Sequence, residues 1–184
     1  MAKLWNRIFG GRARKGKIKA AAVSRKGGKA AVRGRRGKGG THLSYTREIT
    51  HGKRGKLIQA VDIYRTKKTH EATIFVKGEG GETVAHLTVG IARAWLERNN
   101  IEGGVFISAV YVDKAYRKEG FLRQMAAEAE HVAKKELKSD RVFIVPQDRK
   151  VRKIYEKLGY EPFRRDGKIV RSGWKKMPIL VKAL

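Results

Sequence analysis

The sequence contains no cysteine, so neither a disulfide framework nor a thiolate zinc site can form. Its five histidines, His42, His51, His70, His86 and His131, include no i,i+4 pair. The commonest helical spacing of metal ligands is therefore missing, and no metal is expected. Long apolar runs are missing too. The longest, residues 105–112, is interrupted by Ser108 and falls far short of the roughly 20 residues a spanning helix needs, so no transmembrane segment is expected. Acidic residues are absent from the first forty positions, where 14 Lys or Arg and nine Gly stand.

What is present divides in two. At 184 residues and 41% hydrophobic content, the chain can bury one core. The expected organisation is a basic Gly/Arg/Lys-rich tail over residues 1–40 and one folded domain over residues 41–184. The tail cannot bury enough apolar surface to offset its chain entropy and should be disordered without a partner. With the net charge at +27, the favoured partner is a polyanion, with nucleic acid first and an anionic membrane second. Arg12, Arg14, Lys15, Arg33, Arg35 and Arg36, interleaved with glycine and alanine, suit a grip on phosphates of DNA or RNA that carries little sequence information. No base-reading motif is visible. At the start, Leu4 and Ile8, and Trp5 and Phe9, fall at i,i+4, the spacing of a short apolar helical face that would dock on a protein assembly or graze a membrane. An acid-free amphipathic start also suits organellar targeting.

From residue 41 the pattern becomes regular. "HLSYTREI" alternates as a strand; "KLIQAVDIY" has helical spacing but admits a strand, and helix is the reading taken. "EATIFVK" and "ETVAHLTVGIA" flank "GEGG" as an antiparallel hairpin. "ARAWLERNN" continues the second strand or forms a short helix. "GGVFISAVYV" is continuous enough to be a strand buried on both faces. After Gly120, the stripe Phe121, Leu122, Met125, Ala126, Ala129, Val132 and Ala133 marks a helix. "RVFIV" is the next strand. Asp148 then opens a second helix with stripe Val151, Ile154, Tyr155 and Leu158, closed by Gly159. Two further strands follow, with "RDGK" as a turn. The order implies an α/β (α+β) fold with a mixed, mostly antiparallel central sheet flanked by helices.

The blocks "VYVDKAYRKEGFL" and "DRKVRKIYEKLGY", with the closing "KKMPILVKAL", resemble the GNAT acetyltransferase superfamily. In that family a strand ends in a [QR]-x-x-G-x-[GA] turn that cradles the pyrophosphate of acetyl-CoA, and a later helix reads N-x-x-A-x-x-x-Y-E-K-x-G-F. The similarity spans residues 105–184. It implies acetyl-CoA as cofactor, held by Arg117, Lys118, Gly120 and Asp148 and by the backbone of Val110 and Val112. It also implies Tyr155 as the general acid that protonates the leaving thiolate. The physics of such a turn is plain: unpaired amides at a helix start, and the positive end of its dipole, converge on one anion.

The sequence departs from the family pattern. Leu122 stands where the family has Gly or Ala and would crowd the phosphate; Glu119 adds a carboxylate to a turn meant for anions, a repulsion of about a kcal/mol if it points inward. Asp148 replaces an Asn and suits a helix N-cap. Residues 106–109, where many relatives carry a glutamate base, hold no acid. The N-terminal half has room for at most one of the two helices that usually wall the acceptor site. Two functions follow as expectations. The leading one is a nucleic-acid-associated structural protein, inside the cell within a ribonucleoprotein or as a virion component, with weakened or lost acetyl-CoA chemistry. The alternative is an active acetyl-CoA-dependent N-acetyltransferase brought to its target by the basic tail.

Overall fold

The computed structural model describes residues 33–37, 40–51, 54–67, 69–173 and 176–184, with residues 33–37 by their backbone alone. Leu4, Trp5, Ile8, Phe9, Arg12, Arg14 and Lys15 lie outside the described residues. Strand β1 (Arg33–Gly37) pairs antiparallel with β2 (Gly40–His51), from Arg33 opposite Ser44 to Gly37 opposite Gly40. Part of the segment expected to be disordered thus has strand conformation, Arg33, Arg35 and Arg36 among it.

A meander follows: β3 (Gly55–Thr66), β4 (His70–Lys77) and β5 (Thr83–Gly90), each antiparallel to its predecessor. The helix expected over "KLIQAVDIY" is instead β3. Leu57, Gln59, Val61 and Ile63 are buried at every second position, while Ile58 and Tyr64 on the other face are exposed and Ala60 there is buried. Period two fits this stretch as well as period 3.6 does, and pairing with a strand on each side satisfies its backbone where a lone helix would leave the sheet incomplete. The hairpin around "GEGG" forms as expected. Among the described residues no helix precedes α1 (Arg93–Arg98), so this part of the chain is shorter in helix than the sequence suggested.

Strand β6 (Val105–Val112) extends the antiparallel order, and β7 (Arg141–Ile144) pairs with it in parallel. Between them α2 (Phe121–Lys135) crosses one face of the sheet, burying Phe121, Met125, Ala126, Ala129, Val132 and Ala133. Helix α3 (Arg149–Lys157) leads from β7 to the short β8 (Glu161–Pro162). The minor hairpin of β9 (Arg164–Arg165) and β10 (Lys168–Ile169) turns through Asp166 and Gly167, both at positive φ, as the "RDGK" reading requires. The last strand, β11 (Leu180–Ala183), inserts between β7 and β8, antiparallel to both. The result is a nine-stranded mixed sheet in the order β1-β2-β3-β4-β5-β6-β7-β11-β8, parallel only at β6–β7.

The main core lies between the sheet and α2, and includes Tyr155 of α3 and Tyr160. Glu128 of α2, the one buried charged residue among the described residues, accepts hydrogen bonds from Tyr45 Oη (2.8 Å) and Arg47 (2.5 Å) on β2, so the buried carboxylate is paired. A smaller cluster of Leu96, Ile101, Phe143 and Ile179 sits on the opposite face under α1, where Trp95 stacks on Phe106. No helix among the described residues is long and apolar enough to cross a membrane.

Candidate cofactor site

The site begins with an incomplete pairing. Strands β6 and β7 face each other only at Val105–Val142 and Phe106–Phe143. The remaining six residues of β6, 107–112, keep β5 on one side and have no strand on the other among the described residues. A bulge adds to the divergence: Ala109 lies opposite Thr88 and Ile107 opposite Val89, which leaves Ser108 as the extra residue.

The register decides which backbone groups face this gap. Asp113 N–H donates to Val84 O at 2.8 Å, on the same register that pairs Tyr111 with His86. In an antiparallel ladder, alternate residues direct both backbone groups to the same neighbour. Asp113 and Tyr111 therefore bond to β5, and Val110 and Val112 present their N–H and C=O toward the gap. Val112 O accepts from Arg117 Nε at 3.1 Å, consistent with that direction. The side chain of Val110 shares the α2 face with its fully buried partner Leu87, yet is 40% exposed. The strand expected to be buried on both faces is thus open over its second half, because its parallel neighbour diverges.

At the end of this trench stands the turn. Asp113 caps a single 3-10 turn, Lys114–Tyr116, by accepting from Ala115 N–H. Lys118 and Gly120 then both take positive φ, +66° and +87°, which reverses the chain into α2. Gly120 is the N-cap and supplies no side chain to the first turn of the helix; a Cβ placed on it would meet nothing within 4 Å. The first amides of α2 are therefore uncapped beside open space, with the exposed Arg117 and Lys118 next to them.

Both features expected to spoil this turn are directed elsewhere. Leu122 is partly buried and packs on the main core. The Glu119 carboxylate is 12% exposed and held by Arg54, whose Nε lies 3.0 Å and Nη2 2.8 Å from its two oxygens. Arg54 also donates to Ala115 O and lies over the Tyr116 ring at 4.5 Å. Its hydrogen bonds to Glu119 raise its already high pKa. His51 stands 2.8 Å from Glu119 O through Nε2 and stacks on Phe121 at 4.6 Å. The like-charge repulsion expected of Glu119 is thus offset by an ion pair.

Tyr155 belongs to the main core cluster, which also contains Val105 and Ile107 of β6 and Val142 and Ile144 of β7. It is 1% exposed, its hydroxyl has no hydrogen-bond partner, and its ring meets Tyr160 edge-on at 5.2 Å. Burial raises its pKa and keeps the phenol protonated. Asp148 caps α3, with Oδ1 accepting from Lys150 N–H (2.7 Å) and Val151 N–H (2.9 Å), as its N-cap reading anticipates. The structure thus gathers Val110, Val112, Arg117, Lys118 and Gly120 along one edge of β6 and the turn that follows it, buries Tyr155 in the core, and gives Asp148 a structural bond. Sequence reasoning missed Arg54 and His51. No local pattern marks them, since they meet Glu119 from some 65 residues away. Among the described residues no cluster of three or more metal-ligating side chains occurs.

The model of the Acetyltransferase (GNAT) family matches residues 44–160, more than half of the chain. No curated protein sequence matches. Among solved structures, a protein described as an acetyltransferase from Agrobacterium tumefaciens is 19% identical, with 63% of this chain and 76% of that one covered and a TM-score of 0.47. A protein described as an acyl-CoA N-acyltransferase from Klebsiella pneumoniae gives 14%, 62%, 72% and 0.49. A GNAT family N-acetyltransferase, YhbS, from Escherichia coli in complex with CoA gives 15%, 61%, 58% and 0.45. On the extent of the family match, this chain belongs to the GNAT acetyltransferase family.

Proposed function

We propose that the chain binds acetyl-CoA along the β6–β7 gap and is an N-acetyltransferase. The observation that carries this reading is the edge of β6 at Val110 and Val112, which has no partner strand among the described residues and leads to an uncapped helix start at Gly120. Donors and acceptors left without a strand suit the amides of a pantetheine arm, and the helix start suits a pyrophosphate. The exposed Val110 side chain offers the arm an apolar floor. Arg117 and Lys118 add charge at the phosphates. The residues fit the cofactor on these grounds, and the structural reading loses the two objections that had favoured it.

Bound acetyl-CoA would supply an activated acetyl thioester. In this reading the protein aligns that group against an amine, excludes water from it, and offers the Tyr155 hydroxyl as the proton donor to the departing sulfur. Burial keeps this phenol protonated and its hydroxyl has no partner of its own, so it holds a proton to give. Residues 106–109 hold no carboxylate, so the amine is expected to lose its proton to water or to arrive neutral.

Two measurements test the proposal. Acetyl-CoA at about 100 times its Kd should stabilise the fold by roughly 2.7 kcal/mol; an unchanged melting temperature refutes binding. Release of free thiol from acetyl-CoA in the presence of amines then reports transfer, and the absence of cysteine from the chain leaves that assay without protein background. Binding without thiol release would leave a cofactor-binding protein and refute the enzyme.

A second reading has its own support. The charge of +27, with no acid in the first forty residues, favours association with nucleic acid irrespective of sequence. It is compatible with the first, since the residues involved lie apart from the trench in the chain.

A further inference from the structure

We propose that Arg54 is a positioning residue that holds the Glu119 carboxylate out of the β6–α2 turn and so keeps that turn able to accept an anion. The inference rests on the acetyl-CoA reading above and concerns a contact particular to this chain. Glu119 sits immediately before the helix cap, in a turn whose amides and flanking cations are otherwise arranged for negative charge. Left free, its carboxylate would occupy the positive end of α2 itself, as acidic residues commonly do at helix starts. It would then compete with any phosphate for the same amides.

The geometry removes it. Arg54 reaches across from the end of the β2–β3 hairpin and takes both carboxylate oxygens, at 3.0 and 2.8 Å. The same guanidinium donates to Ala115 O and covers the Tyr116 ring. It thereby ties the carboxylate to the 3-10 segment, with His51 Nδ1 3.9 Å from one of its oxygens. His51, on β2, fixes the backbone of the same residue from beside Phe121. The charge is bidentate and fork-shaped, a geometry that the single ammonium of a lysine does not reproduce. The contact is with Glu119, and Arg54 acts on the cofactor only through it.

A double-mutant cycle on the full chain tests this, with CoA as the probe and its Kd measured by titration calorimetry at fixed low salt. Arg54→Ala is expected to weaken CoA binding about tenfold, and Arg54→Lys to fall between it and the wild type. Glu119→Gln is expected to bind CoA at least as tightly as the wild type. The decisive comparison is Arg54→Ala with Glu119→Gln, which should return to within about twofold of Glu119→Gln alone, since no carboxylate is left to restrain. A merely structural role for Arg54 would not be rescued this way. The inference is overturned if Arg54→Ala binds as the wild type does, or if the double variant stays as weak as Arg54→Ala, which would make Arg54 a direct ligand or a fold determinant. Absence of CoA binding by the wild type overturns the acetyl-CoA reading and this inference together; the other outcomes leave that reading standing.

Discussion

Tyr155 has the largest chemical role proposed for any residue here, and it is one of the most deeply buried side chains in the protein. Its hydroxyl lacks a partner, and a buried polar group in that condition carries a desolvation cost of about 1–3 kcal/mol. Tyr155→Phe should therefore leave folding stability unchanged or raise it by up to about 1 kcal/mol in a urea melt, while acetyl transfer falls by about 10²–10⁴-fold. A large loss of stability would show that the hydroxyl is satisfied in the free protein and would count against its catalytic role. His86 gives a pH dependence with a defined sign. It lies between Phe75 and Tyr111, and burial lowers its pKa below the ordinary 6.5. The unfolded chain thus binds this proton more readily than the folded one, so stability is full above pH 6.5 and declines as pH falls below it. Replacing His86 by Gln should flatten the melting temperature between pH 7 and 5; an unaltered profile would assign the dependence to other groups.

At the scale of elements, two glycines of similar backbone geometry have different surroundings. Gly120, at φ +87°, opens α2 beside empty space, whereas Gly104, at φ +107°, precedes β6 with the Phe143 ring 2.5 Å from where a Cβ would stand. Gly120→Ala should cost only the backbone penalty, about 1–2 kcal/mol. Gly104→Ala should add an overpacking cost of about 1–3 kcal/mol, because an aromatic ring in the second core cluster must move. Chemical denaturation of the two variants measures the difference, and equal costs would show that Phe143 yields freely. Helix α3 offers a further check. It is nine residues long and its N-terminal bonds come from one Asp148 oxygen, so Asp148→Ala should destabilise the protein by about 1 kcal/mol.

For the whole molecule the governing quantity is charge. Of 44 cationic residues, ten fall within residues 1–32, which contain no acid. Each cation engaged on a duplex phosphate adds about 0.9 to the slope of log affinity against log salt. Removing residues 1–32 leaves the chain from β1 onward and should reduce that slope in an anisotropy titration on random duplex between 50 and 200 mM salt, by about 0.9 for each of the removed cations that engages a phosphate. An unchanged slope would place the phosphate contacts on the folded domain. CoA binding should survive the same truncation, since none of the trench residues belongs to the removed part.

Much of this protein was determined locally. Helix α2, with its single apolar stripe, the N-cap at Asp148, the glycine turn between β4 and β5, and the junction at Gly120 are each written within about a dozen residues, because capping, helical periodicity and left-handed backbone are short-range effects. Tertiary structure decided the rest. Residues 57–64 satisfy both periods, and only strands on either side made them β3. The exposure of Val110 depends on where β7 stops pairing, which no pattern within β6 records. The fate of Glu119 turns on Arg54, 65 residues earlier: the sequence shows a carboxylate in an anion-binding turn, and only the fold supplies the cation that neutralises it, since a contact between distant segments exists only once the sheet between them has closed.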